Sequence, residues 1–182
     1  RVGGAGAGQT VMRGLGDVHV TVAIERLARK FGVEVRTEPV KVAYRETITR
    51  PIEAEGRLKK QSGGHGQFAI AQLRLRPLER GAGVTFKDSV VGGAIPRNYI
   101  PAVERGVREA MAAGGPRGFE VVDVEVECYD GKHHSVDSSD QAFQNAAAQA
   151  LRAAADDSTV SLLEPVDLIE VTVTDEFVGA VM

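Results

Sequence analysis

One cysteine stands in 182 residues, so Cys128 can form neither an intrachain disulfide nor a cysteine zinc cluster, and a reducing, cytoplasmic interior is the default expectation. No apolar run reaches the roughly 18 residues of a membrane span, and the amino end lacks the apolar core of a signal peptide, so no membrane partner is expected. Positive charge is not in excess. A net charge of -3 excludes a chain that coats nucleic acid over its whole surface, and any such contact has to be a local patch. The Gly-Lys-Ser/Thr ending of a nucleotide phosphate loop is missing, so no residue here binds GTP or ATP by a recognised motif. Repeats of solenoid period are missing too.

What is present is ordinary globular composition, 43% hydrophobic and 26% charged. Residues 1–8 are glycine- and alanine-rich without periodicity, and the chain stops at Val181-Met182 just after a strand-like run, which together suggest a piece of a longer protein. Residues 10–13 read as a strand. Residues 18–31 read as a helix with Val18, Val22, Leu27 and Phe31 inward, capped by Asp17 and stopped by Gly32. Val33, Val35 and residues 42–48 supply further strand material. Strands are then expected at 49–58, 68–75 and 84–91, and a helix near Pro101 with Val103, Val107 and Ala110 inward, ended by Gly114-Gly115-Pro116.

Residues 122–128 alternate Val122, Val124, Val126 and Cys128 with Asp123, Glu125 and Glu127, which predicts a half-buried strand with an acidic outer face. A loop over 129–137 leads to a helix with Ser138 as cap, Gln141 as its capping-box partner, and Ala142, Phe143, Ala146, Ala150 and Leu151 as the buried stripe. Residues 167–174 alternate as a last strand. The order of elements predicts an α+β sandwich with helices on one face of a sheet.

Two loops carry the candidate chemistry. Lys59 and Lys60 lead into the turn Gln61, Ser62, Gly63, Gly64, His65, Gly66, Gln67, and the second loop holds Lys132, His133, His134, Ser135, Val136 and Asp137. Glycines let a partner's backbone approach and cations attract phosphate, so if both loops share one end of the sheet they form a cationic patch with Arg57. A merely solvated charged turn fits the same residues. His133, His134, Asp137 and Asp140, with His65 as an additional ligand, invite a metal reading, but no spacing matches a zinc signature. Ser138 or Ser139 with His134 and Asp137 invites a hydrolase reading, although serines at a helix start are more often caps.

Gly14-Leu15-Gly16-Asp17-Val18-His19, residues 42–48, residues 60–68, Gly92-Gly93-Ala94-Ile95-Pro96, Tyr99-Ile100-Pro101-Ala102-Val103, His134-Ser135-Val136-Asp137-Ser138-Ser139 and Leu163-Glu164-Pro165 resemble elongation factor G, in the same order. The resemblance implies a partial third domain over 1–48, strand-helix-strand and part of a ferredoxin-like fold. It implies a fourth domain over 49–165 with a ribosomal-protein-like fold and a left-handed crossover, and the start of a fifth domain over 166–182. It also implies a monomeric ribosome-binding translation GTPase whose GTP and magnesium sit in an upstream domain. Its fourth-domain tip would enter the small-subunit decoding region beside tRNA and mRNA. Carried over by motif, Ser62 to Gln67 form one tip loop and His134 to Asp137 belong to the other. The family usually has arginine where this chain has His65 and an acidic residue where it has Ser135, so a paralogue acting in recycling, protection or rescue is the alternative.

Overall fold

Packing divides this chain into two units, one of residues 1–43 with 164–182 and one of residues 44–163. The computed structural model describes residues 2–5, 9–39, 42–60, 66–168 and 170–181. In the first unit β1 (Val2–Ala5) pairs antiparallel with β2 (Gln9–Met12). The glycine-rich start thus enters a ladder that its sequence does not advertise, because glycine has no side chain to alternate. The helix α1 (Asp17–Phe31) follows. Its C-terminal cap is Gly32 at φ 64°, where the Gly32 N–H donates to Ala28 O at 3.0 Å and the Val33 N–H to Leu27 O at 3.3 Å.

Three expectations for this unit change. Gly16 is the cap residue, while Asp17 is the first helical residue and acts through its charge at the positive helix end. The least exposed stripe of α1 is Val20, Ala23, Ile24 and Leu27, whereas Val18 and Phe31 are 77% and 71% exposed. Residues 33–39 and 42–44 join no strand, and neither do the described residues of 167–174; Ile169 lies outside them. Alternation alone does not make a strand where no neighbouring strand accepts its hydrogen bonds. The unit closes with a 3-10 turn (Asp175–Phe177) and the short helix Val178–Val181.

The second unit holds the core. Its elements run β3 (Arg45–Ile48), β4 (Ile52–Lys60), β5 (Gln67–Pro77), β6 (Val84–Asp88), α2 (Ile100–Ala113), β7 (Val124–Lys132), α3 (Asp140–Ala154) and β8 (Val160–Leu163). The main sheet has the order β4-β5-β7-β6, antiparallel except for the parallel pair β6-β7 that α2 bridges, and β3 pairs separately with β8. Both helices cover one face. There Leu73, Leu75, Val124, Val126 and Cys128 meet Val103, Val107, Phe143, Ala146 and Ala150 in one buried cluster.

Two glycines allow that closeness. A Cβ on Gly56 would lie 1.7 Å from the Ala146 carbonyl oxygen, and one on Gly106 would lie 2.4 Å from that of Gln144, so α3 packs backbone to backbone against β4 and α2. The alanine-rich stripe of α3 is buried as its spacing predicts, and the Phe143 ring stacks on Tyr99 with centroids 5.0 Å apart.

The strand expected at 122–128 starts later and runs further, to Lys132, so the first part of the expected loop, residues 129–132, is sheet. Asp123 leaves the strand at φ 59°, a conformation short polar residues tolerate, and its carboxylate accepts from the N–H groups of Gly81 at 3.1 Å and Gly83 at 2.9 Å. The cap of α3 is Ser139, whose hydroxyl accepts the Ala142 N–H at 3.2 Å. With the cap one residue later, Gln141 falls out of the capping-box position and bonds Asn145 instead.

Candidate nucleic-acid interface

The face of the sheet away from the helices is a lattice of charge. Strand pairing sets Glu53, Arg74 and Glu127 in one row, with Lys87 opposite Glu127 on the edge strand. Arg74 donates to Glu53 at 2.8 Å and to Glu127 at 3.1 Å, and Arg76 reaches Glu125 at 3.0 Å and Glu127 at 3.3 Å. The Glu127 side chain is only 8% exposed within this cage. A hydrogen bond from Ser89, and then the pull of Arg74, Lys87 and Arg76, hold its carboxyl below the ordinary range against the opposing effect of burial. The acidic outer face expected from the alternation is therefore neutralised by basic residues of β5 and β6. Arg57 is likewise not a free cation, since its guanidinium bonds Glu55 at 2.9 Å.

Toward the end of the sheet where β4, β5 and β7 run out, this pairing stops. Lys59 lies opposite Phe68, Lys60 opposite Gln67, and Lys132 opposite Ile70 on the row shared with Arg57. All three lysines are exposed, and no carboxylate among the described residues comes within 4.0 Å of them. Strand alternation puts Lys59 and Lys132 on the open face and Lys60 on the other, so the cations straddle the sheet's end.

The two candidate loops do meet there, as far as they are described; Gln61, Ser62, Gly63, Gly64 and His65 lie outside the described residues. The Gly66 N–H donates to Asp137 Oδ1 at 3.1 Å and the Phe68 N–H to the Asp137 carbonyl at 2.8 Å. A Cβ on Gly66 would sit 2.9 Å from the Asp137 carboxyl carbon, so a larger residue there would have to displace that carboxylate. The Ser138 hydroxyl donates to Phe68 O at 2.7 Å and accepts the His134 N–H at 2.9 Å. His134 Nδ1 lies 3.2 Å from the Asp137 N–H nitrogen, 3.3 Å from that of Val136 and 3.3 Å from Asp137 Oδ2. Ser135, Val136 and His133 stay exposed at the surface of this turn, and Gln67 is exposed across from it.

This wiring argues against the hydrolase reading, since both bonds of the Ser138 hydroxyl go to backbone and the Ser139 hydroxyl caps α3. Among the described residues no group of three His, Cys, Asp or Glu side chains is arranged to hold a metal. The Cys128 thiol, deep in the core, is pushed up to about 12 by burial first and by Asp88 and Asp130 second, and is not a nucleophile at neutral pH.

A third segment joins the same end, and its position was not legible in the sequence. His133 Nδ1 lies 3.2 Å from the Ala94 carbonyl oxygen, which brings the turn at Gly92 (φ 66°) and Gly93 (φ 71°) beside the second loop, with Val91 78% exposed. A depression of about 460 Å³ lined by Asp88, Val90, Gly92, Gly93, Ile95 and Arg97 opens next to it. The glycine pair signals a turn, but only the parallel β6-β7 pairing decides which loop it accompanies.

Comparison with known proteins follows the same lines. A family model for elongation factor G, domain IV, matches residues 40–159, and one for elongation factor G, domain III, matches residues 5–39. A Thermotoga maritima protein named elongation factor G-like is 50% identical over 175 residues, covering 96% of this chain and 26% of that protein. A Mycobacterium tuberculosis protein of the same name is 50% identical over 174 residues, covering 96% of this chain and 24% of that one. A crystal structure of a Thermus thermophilus protein superposes with a TM-score of 0.80 at 39% identity, covering 89% of this chain and 24% of its own. The chain thus spans about a quarter of the length of the relatives it matches.

Proposed function

The chain belongs to the elongation factor G family, and from that premise we propose that residues 44–163 are the ribosome-contacting arm of a translation factor, with RNA met at the end of the sheet where the loops converge. The observation that carries this reading is the contrast in pairing. Cations along the body of the open face are tied to carboxylates, while Lys59, Lys60 and Lys132 have no carboxylate within 4.0 Å among the described residues and can meet an outside anion. Phosphate is the anion that three spaced lysines around a glycine-lined edge suit, and the task is steric occupancy with backbone recognition.

In the parent protein this end enters the decoding region of the small ribosomal subunit and accompanies movement of tRNA and mRNA. The parent works as a cytoplasmic monomer, and GTP with magnesium belongs to a domain outside these residues. Replacing Lys59, Lys60 and Lys132 together by alanine weakens binding of the chain to ribosomal small subunits by on the order of tenfold in a sedimentation assay, and lowers its salt dependence. Unchanged binding at every salt concentration would sink the proposal.

A second reading is a paralogue that binds ribosomes in recycling, protection or rescue. It is favoured by the names of the two relatives, both elongation factor G-like, and agrees with the expectation from the resemblance that His65 and Ser135 replace a usual arginine and a common acid. Peptide synthesis driven by the full-length protein separates the two, since only a translocase supports processive elongation.

A further inference from the structure

We infer that the adjacent histidines of the second loop are held in opposite tautomers, so that His133 offers RNA a hydrogen-bond acceptor and His134 a donor; the RNA half of this inference rests on the function proposed above. The assignment comes from what each Nδ1 touches. His133 Nδ1 faces only the Ala94 carbonyl oxygen at 3.2 Å, and a carbonyl cannot donate. The proton of neutral His133 therefore sits on Nδ1, and its Nε2 keeps an open lone pair.

His134 is wired the other way. Two backbone N–H groups, those of Val136 at 3.3 Å and Asp137 at 3.2 Å, are directed at its Nδ1, and both need a lone pair there. The Asp137 carboxylate oxygen at 3.3 Å from the same nitrogen would favour a proton on it. That arrangement satisfies one contact and strips two amides of their acceptor, and the other oxygen of Asp137 is already engaged by the Gly66 N–H at 3.1 Å. Two donors outweigh one acceptor, so the proton is on Nε2.

The backbone that carries the ring is tied down on both sides. Its backbone N–H is tied to the Ser138 hydroxyl at 2.9 Å, its carbonyl accepts the Ser138 N–H at 3.2 Å, and the Phe68 ring stands 6.2 Å away at an interplanar angle of 59°. The side chain is 52% exposed, and its Nε2 has no hydrogen-bond partner among the described residues. Asp137 and Ser138 are thus positioning residues, and the outward group is an N–H that matches an acceptor atom of RNA.

Long-range nitrogen NMR of the chain at about pH 8, above the ordinary imidazole range, tests the assignment without any ribosome. His133 is expected to show a pyrrole-type Nδ1 with a pyridine-type Nε2, and His134 the reverse; matching patterns in both rings, or averaged shifts at His134, overturn the inference. Ser138→Ala is expected to average the His134 signals while leaving those of His133 unchanged.

The recognition half is read from small-subunit binding by the chain. A glutamine amide reaches the Nε2 position and an asparagine amide does not. His134→Gln is expected to bind like the unsubstituted chain, whereas His134→Asn and His134→Ala are each weakened about fivefold. Asparagine rescuing better than glutamine overturns the donor assignment. Full binding by all three variants, with the lysine triple variant still weakened, overturns the His134 contact while leaving the proposed function standing.

Discussion

The two ends of the open sheet face use the same residue types differently. Along the body, Arg74 and Arg76 lie between Glu53, Glu125 and Glu127, and the charges cancel row by row across β4, β5, β7 and β6. At the far end the rows continue with Phe68, Ile70, Lys59 and Lys132, and no carboxylate among the described residues comes within 4.0 Å of the lysines, with Glu55 feeling Lys132 only at longer range. The loops there put their polar groups to a different use, bonding each other through Asp137 and Ser138. A protein that is acidic overall can still present an anion-seeking edge if its acids are committed elsewhere. Net charge describes the sum, and local pairing decides what a partner meets.

The comparison is broken most severely by attacking the body's core. Phe143→Ala removes a fully buried ring stacked on Tyr99 and is expected to cost about 3–5 kcal/mol in urea unfolding. Binding by the fraction that stays folded should be unchanged. The lysine triple variant is the converse. Its unfolding free energy should move by no more than about 0.5 kcal/mol, while the slope of log affinity against log salt falls by about 2. A stability loss rivalling that of Phe143→Ala would erase the distinction between the two ends.

A smaller effect sharpens the body's side. Because the Glu127 carboxyl is held below its ordinary 4.5, its contribution to stability is present above that value and is lost as pH falls through the lowered native value. Glu127→Gln should flatten the acid limb of a Tm-against-pH curve, and the lysine triple variant should not. Smallest is a probe of the shared core. With its thiol pushed up to about 12, Cys128 should not react with a thiol reagent at neutral pH until the chain is unfolded.

Much of the fold was legible because it is local. The α3 stripe, the Gly32 stop, the inward faces of α2 and β7, and the two loops as candidates all follow from spacing along the chain. Most of the errors share one cause. Asp123 and Glu127 read as exposed charges because their partners, at Gly81 and Gly83 and on β5 and β6, are set by folding, whereas the partner of Arg57, Glu55 two residues back on the same strand face, was within reach of local spacing. Ser138 and Ser139 are interchangeable as caps by composition; Phe68, seventy residues away on β5, claims the first hydroxyl and leaves the second to the helix. The α1 stripe was misread because several faces of that helix carry apolar residues, and only its packing selects Val20, Ala23, Ile24 and Leu27.

By itself the sequence determined the helical and strand segments of the second unit, the glycine that each turn needs and the family to which the motifs point, because these depend on residues within a turn or two of one another. Tertiary structure alone decided which cations have no carboxylate within 4.0 Å among the described residues, that the glycine turn at 92–93 joins the other loops, and that His133 meets the Ala94 carbonyl. Those outcomes depend on strand register and on backbone groups brought together from distant parts of the chain, and neither is written in local spacing.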